Sequence, residues 1–361
     1  MFRLFSRRAK LKTAPETVRQ LTASERRFLD LPGIPPAGLP YAVYDQMQSD
    51  GMVQTALSVK RQGVLAAPYR IRPADDSPSA RERATFAERA LERIEGSVAD
   101  VLGHALDAFA KGWSVQELVW DSDGRETWLA AVRPKDPSFF GLRVDSFGQI
   151  RSLVLHLPGE APQTIPRSKF AIYRNRSGYR HPKGRSDLDA AHPHWQAKQA
   201  LLAAWKFHLE RFASPTVLGR FQRGLPPQDQ EAILGALRDL NRHTAILFPE
   251  ELTLGTMGGE REASTGFLEA IEFHNREIAR AILGQTLATD EGRRVGSLAL
   301  GKVHLQVLML QIEAIRRDLA ETLMTEQILR PLVEMNFGRG QLPKFEFEAG
   351  ARSVFATGLL A

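Results

Sequence analysis

LDAAHPHWQAKQALLAAWKFHLERFA (188–213) and STGFLEAIEFHNREIARAILG (264–284) read as two long helices on either side of an insert. At 1.5 Å per residue the first spans roughly 39 Å. In the second, Phe267, Ile271, His274, Ile278 and Ile282 recur at spacings of four, three, four and four. That is one apolar stripe of a 3.6-residue period. A third helix is predicted from Lys302 to Met335, with Leu305, Leu308, Ile312, Ile315 and Leu319 on one side and a kink near Pro331. A loop rich in Gly and charge, Gln285 to Gly301, separates the second helix from the third. Helices of this length, interrupted by an insert and a charged loop, suit the wall of something extended better than an enzyme cleft.

Working outward, the insert 214–263 predicts a small α/β knob. Pro226-Pro227 stops a strand Thr216 to Gln222, Gln228 to Asn241 forms a helix, and Thr244 to Phe248 a second strand. On the N-terminal side, residues 1–40 form a charged arm ending in the Pro/Gly connector LPGIPPAGLP. From Tyr41 the pattern is helical, with Ser49-Asp50-Gly51 breaking it and capping a second helix. Pro68 to Pro73 alternates like a short edge strand, Arg81 to Ile94 is helical, and Val98 to Lys111 is a helix ended by Gly112. Strands are then predicted at Ser114 to Trp120, Trp128 to Arg133, Phe139 to Val144, Ile150 to Leu157 and Phe170 to Arg174, with turns at Asp121 to Gly124 and Ser146 to Gly148. Residues 41–175 thus predict an α+β domain on an antiparallel sheet. NRSGYRHPKGRS (175–186) is a polar loop leading into the first long helix, and Lys344 to Glu348 alternates as a last strand.

The 361 residues suffice for two or three domains or subdomains. Hydrophobic content of 43% and charged content of 25% are those of a soluble globular protein. No apolar run reaches the length of a membrane span, and MFRLFSRRAKLK lacks the apolar stretch of a secretory signal. The absence of cysteine excludes disulfides, thiolate catalysis and cysteine-ligated metal, and makes cytoplasmic assembly the default. The net charge is +6, but residues 1–30 supply +5 of it. The body is therefore close to neutral, unlike a domain built to grip nucleic acid.

Three motifs reduce to ordinary structure. Gly296-Ser-Leu-Ala-Leu-Gly301-Lys302-Val303 approaches a phosphate-binding loop, but Val303 offers no hydroxyl to magnesium and no buried strand precedes it. His192, His194 and His208 lie near or on one helix without a metal-ligand spacing, so no metal and no cofactor is expected. No nucleophile–base pair is evident. The aromatics of the first long helix, Trp195, Trp205, Phe207 and Phe212, suit a core or a contact between subunits better than base stacking.

The long-helix sequence, continued by FHNREIARAILGQTL and GSLALGKVHLQVL, resembles the portal proteins of tailed bacteriophages, in particular the Mu-like portal family. YDQMQSDGMVQTALSVKRQGVLAAPYRIRPA (44–74) resembles the segment opening the body of those proteins, and the likeness covers roughly residues 41–348. It implies a portal fold: an α/β wing (41–187, completed by a long helix and strand at 302–348), stem helices 188–213 and 264–284, a clip (214–263) and a tunnel loop (285–301). Only 349–361 stand where the family carries a helical crown, so the expectation is a reduced or missing crown or a truncated form of the chain. The implied function is a non-enzymatic ring, dodecameric in the family, at a capsid vertex through which double-stranded DNA is packaged and ejected. The implied partners are further copies of the chain, the large terminase, head-completion adaptors, and major capsid and scaffold proteins. The implied sites are Gln285, Thr286, Asp290, Glu291, Arg293 and Arg294 at the DNA channel, and Arg220, Arg223, Arg238 and Arg242 at terminase docking. Trp195, Trp205, Phe267, Ile271, Ile278 and Ile282 are expected at contacts between subunits. A near-neutral body and a slightly acidic clip fit a conduit, since each phosphate contact adds grip. The rival class is a nucleic-acid-processing enzyme or replication factor using the basic arm and the degenerate phosphate loop. Light scattering separates a large ring from that smaller protein.

Overall fold

The computed structural model describes residues 38–145, 149–178, 181–212, 217–221, 224–241, 245–249, 260–285 and 298–348. They belong to two compact units, Met1–Asp189 with Gly292–Ala361, and Ala190–Glu291.

The first unit opens with α1 (Tyr41–Gln48) and α2 (Gly51–Leu65). Asp50 separates them as the sequence predicts: its carboxylate accepts from the backbone N–H of Met52 at 2.9 Å and of Val53 at 3.3 Å. These are donors that a helix start leaves unpaired. β1 (Tyr69–Arg72) follows, then α3 (Pro78–Glu92), capped by Ser77 with Pro78 in its first turn. α4 (Val98–Ala105) starts in a capping box between Ser97 and Asp100. The helix expected over 98–111 is two: α5 (Ala108–Lys111) is separate. At the break, the N–H groups of Asp107 and Phe109 bond three residues back, to His104 and Leu106. That tighter turn keeps both Leu106 and Phe109 buried. Gly112 closes α5 at φ 83, as a C-cap glycine should.

The single sheet expected over 41–175 is replaced by separate antiparallel sheets. β2 (Trp113–Ser122) lies between β3 (Thr127–Lys135) and β7 (Phe170–Arg174). Val115 faces Ile172, Leu118 faces Val132, and a bulge falls at Val119/Trp120. β4 (Phe140–Val144), β5 (Ile150–Leu155) and β6 (Gln163–Pro166) form a second meander. Its last strand, which ends in Pro166, was not expected from the sequence. Trp113, Val115, Phe140, Leu153, Phe170 and Ile172 make one core shared by the two sheets. The buried Trp113 indole donates to the Tyr41 hydroxyl at 2.6 Å. β1 pairs with β10 (Lys344–Phe347), Ile71 facing Phe345, so the two ends of this unit close on each other. The turn expected at Ser146–Gly148 lies outside the described residues.

After α6 (Leu188–Phe212), β8 (Val217–Phe221), α7 (Pro227–Asn241), β9 (Ala245–Pro249) and α8 (Glu260–Leu283), the chain returns to the first unit at α9 (Leu298–Asp318). The helix predicted to run unbroken to Met335 instead widens into a π-helix over Leu319–Leu329 and resumes as α10 (Arg330–Phe337). Pro331 sits in the first turn of α10, where its missing N–H costs least. From this stretch two carboxamides reach the sheet. Gln327 accepts from Ile172 N–H (2.8 Å) and donates to Ile172 C=O (3.0 Å) on β7. Asn336 does the same to Thr127 on β3, at 2.8 and 2.7 Å. Each imitates one residue of an additional strand, so both edges of the three-stranded sheet are clamped.

In the second unit, β8 and β9 are parallel, Val217 facing Ala245, joined through α7 as a parallel pair requires. α6 and α8 run antiparallel. His194 of α6 meets His274 of α8 with the two Nδ1 atoms 3.1 Å apart, while His208, later in α6, lies against Phe267, earlier in α8.

Candidate functional site

Ser186, Asp187 and Leu188 form the root of α6, and the densest buried polar cluster of the described residues is built around them. The Lys60 ammonium of α2 lies 2.5 Å from the Asp187 carboxylate, with their side chains 5% and 0% exposed. Asn175 Nδ2 donates to the other Asp187 oxygen at 2.9 Å and to the Arg185 carbonyl at 2.9 Å, and Arg176 approaches the same carboxylate at 3.3 Å. Lys60 also sits over the Phe109 ring, 4.3 Å from its centre. Burial pulls the Lys60 ammonium below its ordinary pKa, and the charge of Asp187 opposes that pull. Ser186 Oγ donates to the Ala110 carbonyl and accepts from Leu188 N–H at 2.9 Å, capping α6. Tyr44 donates to Asp189 at 2.5 Å, and burial raises its pKa well above the ordinary phenol range.

The local sequence explains this geometry. Gly184 has φ 90, and a Cβ there would lie 2.3 Å from the Gly112 carbonyl and 2.6 Å from that of Asn175. Only glycine lets the 175–186 loop approach so closely. Arg176 holds φ 50, a strained value for a residue with a side chain. Nearby, burial and then Asp318 raise the pKa of Tyr173, and burial raises that of Asp318, its hydrogen-bond partner. Arg167, buried and bonded to the Phe170 carbonyl and to Gln327, is brought down to about 10 by burial and then by Arg174. Tyr173 and Asp318 thus pair with each other, while Arg167 is held by a backbone carbonyl and a carboxamide. A cleft lined by His104, Asp107, Lys111, Trp113 and Asp136 has its charges matched locally, Asp107 to Arg61 at 2.6 Å and Lys111 to Asp45 at 3.1 Å. Among the described residues no three His, Asp or Glu groups converge as a metal site, and no helix is long and apolar enough to cross a membrane. The chemistry here is that of a buried structural anchor within the first unit.

The residues singled out from sequence divide unevenly. Of the channel set, Gln285 is 4% exposed and so does not face a channel, contrary to expectation, because the end of α8 folds inward with the buried Ile282 and Leu283. Thr286, Asp290, Glu291, Arg293 and Arg294 lie outside the described residues. Of the docking arginines, Arg220 is exposed on β8 and Arg238 lies on α7, whereas Arg223 and Arg242 fall outside the described residues. Ile271, Ile278 and Ile282, expected at contacts with other copies, are buried within the single chain. Their stripe is already covered, so it cannot also receive a second copy. Phe267, Trp195 and Trp205 are half-buried, and Trp195 stacks on His192. Leu305, expected on the packed side of the third helix, is exposed, while Leu308, Ile312 and Leu319 are buried. The Lys60–Asp187 pair escaped sequence reasoning. The one available signal was a lysine on the apolar side of a helix, four residues after Ala56 and four before Val64.

The chain is an α+β protein whose second unit holds two long antiparallel helices and a small parallel α/β insert. Residues 41–354 match the family described as portal protein of Mu bacteriophage, and the chain belongs to that family. It is 26% identical to the portal protein of Escherichia phage Mu over 303 residues, 81% of this chain and 56% of that protein. It is 24% identical to the Mu-like prophage FluMu protein gp29 of Haemophilus influenzae over 332 residues, 87% of this chain and 62% of that protein. The chain thus spans little more than half the length of these relatives. A chain from the neck of an empty GTA particle superposes with a TM-score of 0.61 at 14% identity, covering 90% of this chain and 89% of that one. One from the neck of a native GTA particle, computed with C12 symmetry, superposes with a TM-score of 0.62 at 12% identity, covering 88% and 86%. At these identities the likeness is one of fold.

Proposed function

We propose that this chain is a subunit of a closed ring at a phage capsid vertex through which double-stranded DNA enters and leaves. The observation that carries the reading is family membership over residues 41–354. The C12 symmetry of the neck whose chain shares the fold supports the ring. In this reading residues 41–187 and 302–348 are the wing, 188–213 and 264–284 the stem, 214–263 the clip, and 285–301 the tunnel loop. The clip docks the large terminase during packaging and the head-completion adaptor afterwards, through a set of arginines proposed as Arg220, Arg223, Arg238 and Arg242. Arg293 and Arg294 touch passing DNA briefly, since tight phosphate contacts would stall movement. Scaffold and major capsid proteins surround the ring in the virion, after assembly in the host cytoplasm. The role is structural, and the energy for packaging comes from the partner ATPase.

Negative-stain microscopy of the purified full chain tests the reading. Rings with an axial hole are expected, and a uniformly monomeric preparation at micromolar concentration contradicts it. Deleting residues 224–243 should leave rings intact and abolish capture of the large terminase. Undiminished capture would put docking elsewhere.

A further inference from the structure

Three reactive groups meet in the buried cluster at the root of α6. The Asp187 carboxylate accepts from the Lys60 ammonium on one oxygen, at 2.5 Å, and from Asn175 Nδ2 on the other, at 2.9 Å. One carboxylate therefore holds an amine and a carboxamide side by side. Water is kept out: the Lys60 and Asp187 side chains are 5% and 0% exposed, and Asn175 is buried with them. The Phe109 ring covers the ammonium, 4.3 Å from its centre. Burial favours the neutral amine of Lys60, Asp187 opposes it, and Arg176 adds to the effect of burial. A desolvated lysine is the form of that residue that attacks carbonyl carbon.

Asn175 is fixed from several sides. Its N–H donates to the Gly112 carbonyl at 2.9 Å, and its C=O accepts from Arg185 N–H at 2.7 Å. Its Nδ2 also donates to the Arg185 carbonyl at 2.9 Å. Both partners of Nδ2 are acceptors, so the orientation of the carboxamide is set, with nitrogen toward Asp187. An ion pair that merely anchors a helix has no use for a carboxamide on the same carboxylate. A proton relay to a leaving nitrogen requires one. Fixed placement of the two partners supplies what an amide, a poor acyl donor, otherwise lacks.

We propose that Lys60 and Asn175 join in an intramolecular amide bond, with Asp187 as the group that carries the protons. Asp187 takes one proton from the Lys60 ammonium. The lone pair freed on Nζ forms a bond to Asn175 Cγ. Asp187 passes its proton to Nδ2 and takes one of the two left on Nζ. The Cγ–Nδ2 bond breaks with its electron pair on nitrogen, and ammonia leaves. The product is an Nζ–Cγ amide beside a protonated Asp187, and the atoms balance without an oxidant, a reductant or a further reactant. The event happens once per chain and is not turnover. Until it happens, the three groups are the ion-paired anchor described above. Afterwards α2 is tied covalently to the loop that roots α6, whatever the chain assembles into.

Intact-mass spectrometry of the purified full chain, after prolonged incubation near neutral pH, tests this. The parent should be lighter than its sequence by one ammonia. A succinimide at an asparagine loses the same mass, so the tryptic digest decides. It should contain a branched peptide joining Lys60 to Asn175, uncleaved after Lys60. Lys60→Arg keeps a cation opposite Asp187 but offers no amine, and should show its sequence mass with the helical circular dichroism of the parent. Asp187→Asn keeps both reactants and should slow the branched peptide by about a hundredfold or more. A folded parent at its sequence mass, or a digest with only unbranched peptides, overturns the proposal however the variants behave. A branched peptide that accumulates equally fast in Asp187→Asn overturns the part given to Asp187.

Discussion

The root of α6 and the body of the two long helices treat polar groups in opposite ways. At the root, Asp187 accepts from Lys60 and Asn175, Ser186 caps the helix, and Tyr44 holds Asp189. Along the helices of the second unit, the Trp205 Nε1 and Asn275 Oδ1 atoms are buried with no partner among the described residues, and Leu202, Phe207, Leu209 and Phe273 are exposed, Phe207 at 64%. A buried polar atom without a partner costs about 1–3 kcal/mol. One region satisfies itself within the chain, and the other is left to be completed. The difference separates what this sequence needs in order to fold from what it needs in order to assemble.

Lys60→Met should produce the largest effect. It leaves a buried carboxylate without its cation, and removal of one partner of such a pair costs about 3–5 kcal/mol. Urea unfolding of the variant would show it, and a loss near zero would mean that Arg176 and Asn175 alone suffice for Asp187. Gly184→Ala comes next. It combines a positive φ with a backbone clash, and a strained backbone position costs on the order of 1–3 kcal/mol before any clash is relieved. An unchanged melting temperature would show that the 175–186 loop can shift away from Gly112. Gln327→Ala should cost less, about 1–2 kcal/mol for two backbone hydrogen bonds that water can partly replace. Amide exchange at Ile172 should accelerate in that variant, and unaltered protection there would show that the carboxamide clamp is incidental.

The smallest effect concerns the second unit. Burial, and then the proximity of His194, lowers the His274 pKa from its ordinary value of 6.5. The unfolded chain then takes up its proton at higher pH than the folded one. The associated stability is fully present above pH 6.5 and is lost as the pH falls from there through the depressed folded value. A His274→Asn variant should show a shallower loss of stability on mild acidification. Parallel curves for variant and parent would remove the histidine pair from the account.

Local signals made much of this fold legible. Asp50 and Gly112 announced helix ends, Pro226-Pro227 marked the start of α7, and the spacing of Ile271, Ile278 and Ile282 gave a buried stripe. What stayed hidden depends on partners far away in the chain. Lys60 and Asp187 are separated by 127 positions, and Gln327 and Ile172 by 155. No periodicity encodes a side chain that stands in for a strand. The π-helix over Leu319–Leu329 was invisible because its apolar residues are spread around the helix, leaving no stripe whose period could tell a wider turn from an α-helical one. The candidate contact surface was misassigned for a related reason. Periodicity finds an apolar stripe but not what covers it, and at Ile271, Ile278 and Ile282 the chain itself does. The channel residues 286–294 lie outside the described residues.

Hydrogen–deuterium exchange on the full chain, compared between assembled rings and copies kept apart by dilution, tests the division most directly. Backbone amides flanking Trp205 on α6 and Asn275 on α8 should gain protection on assembly, while those of Asn175, Asp187 and Leu188 should be equally protected in both states. Equal exchange around Trp205 and Asn275 in the two states, or a root of α6 that becomes protected only in the ring, would contradict the account.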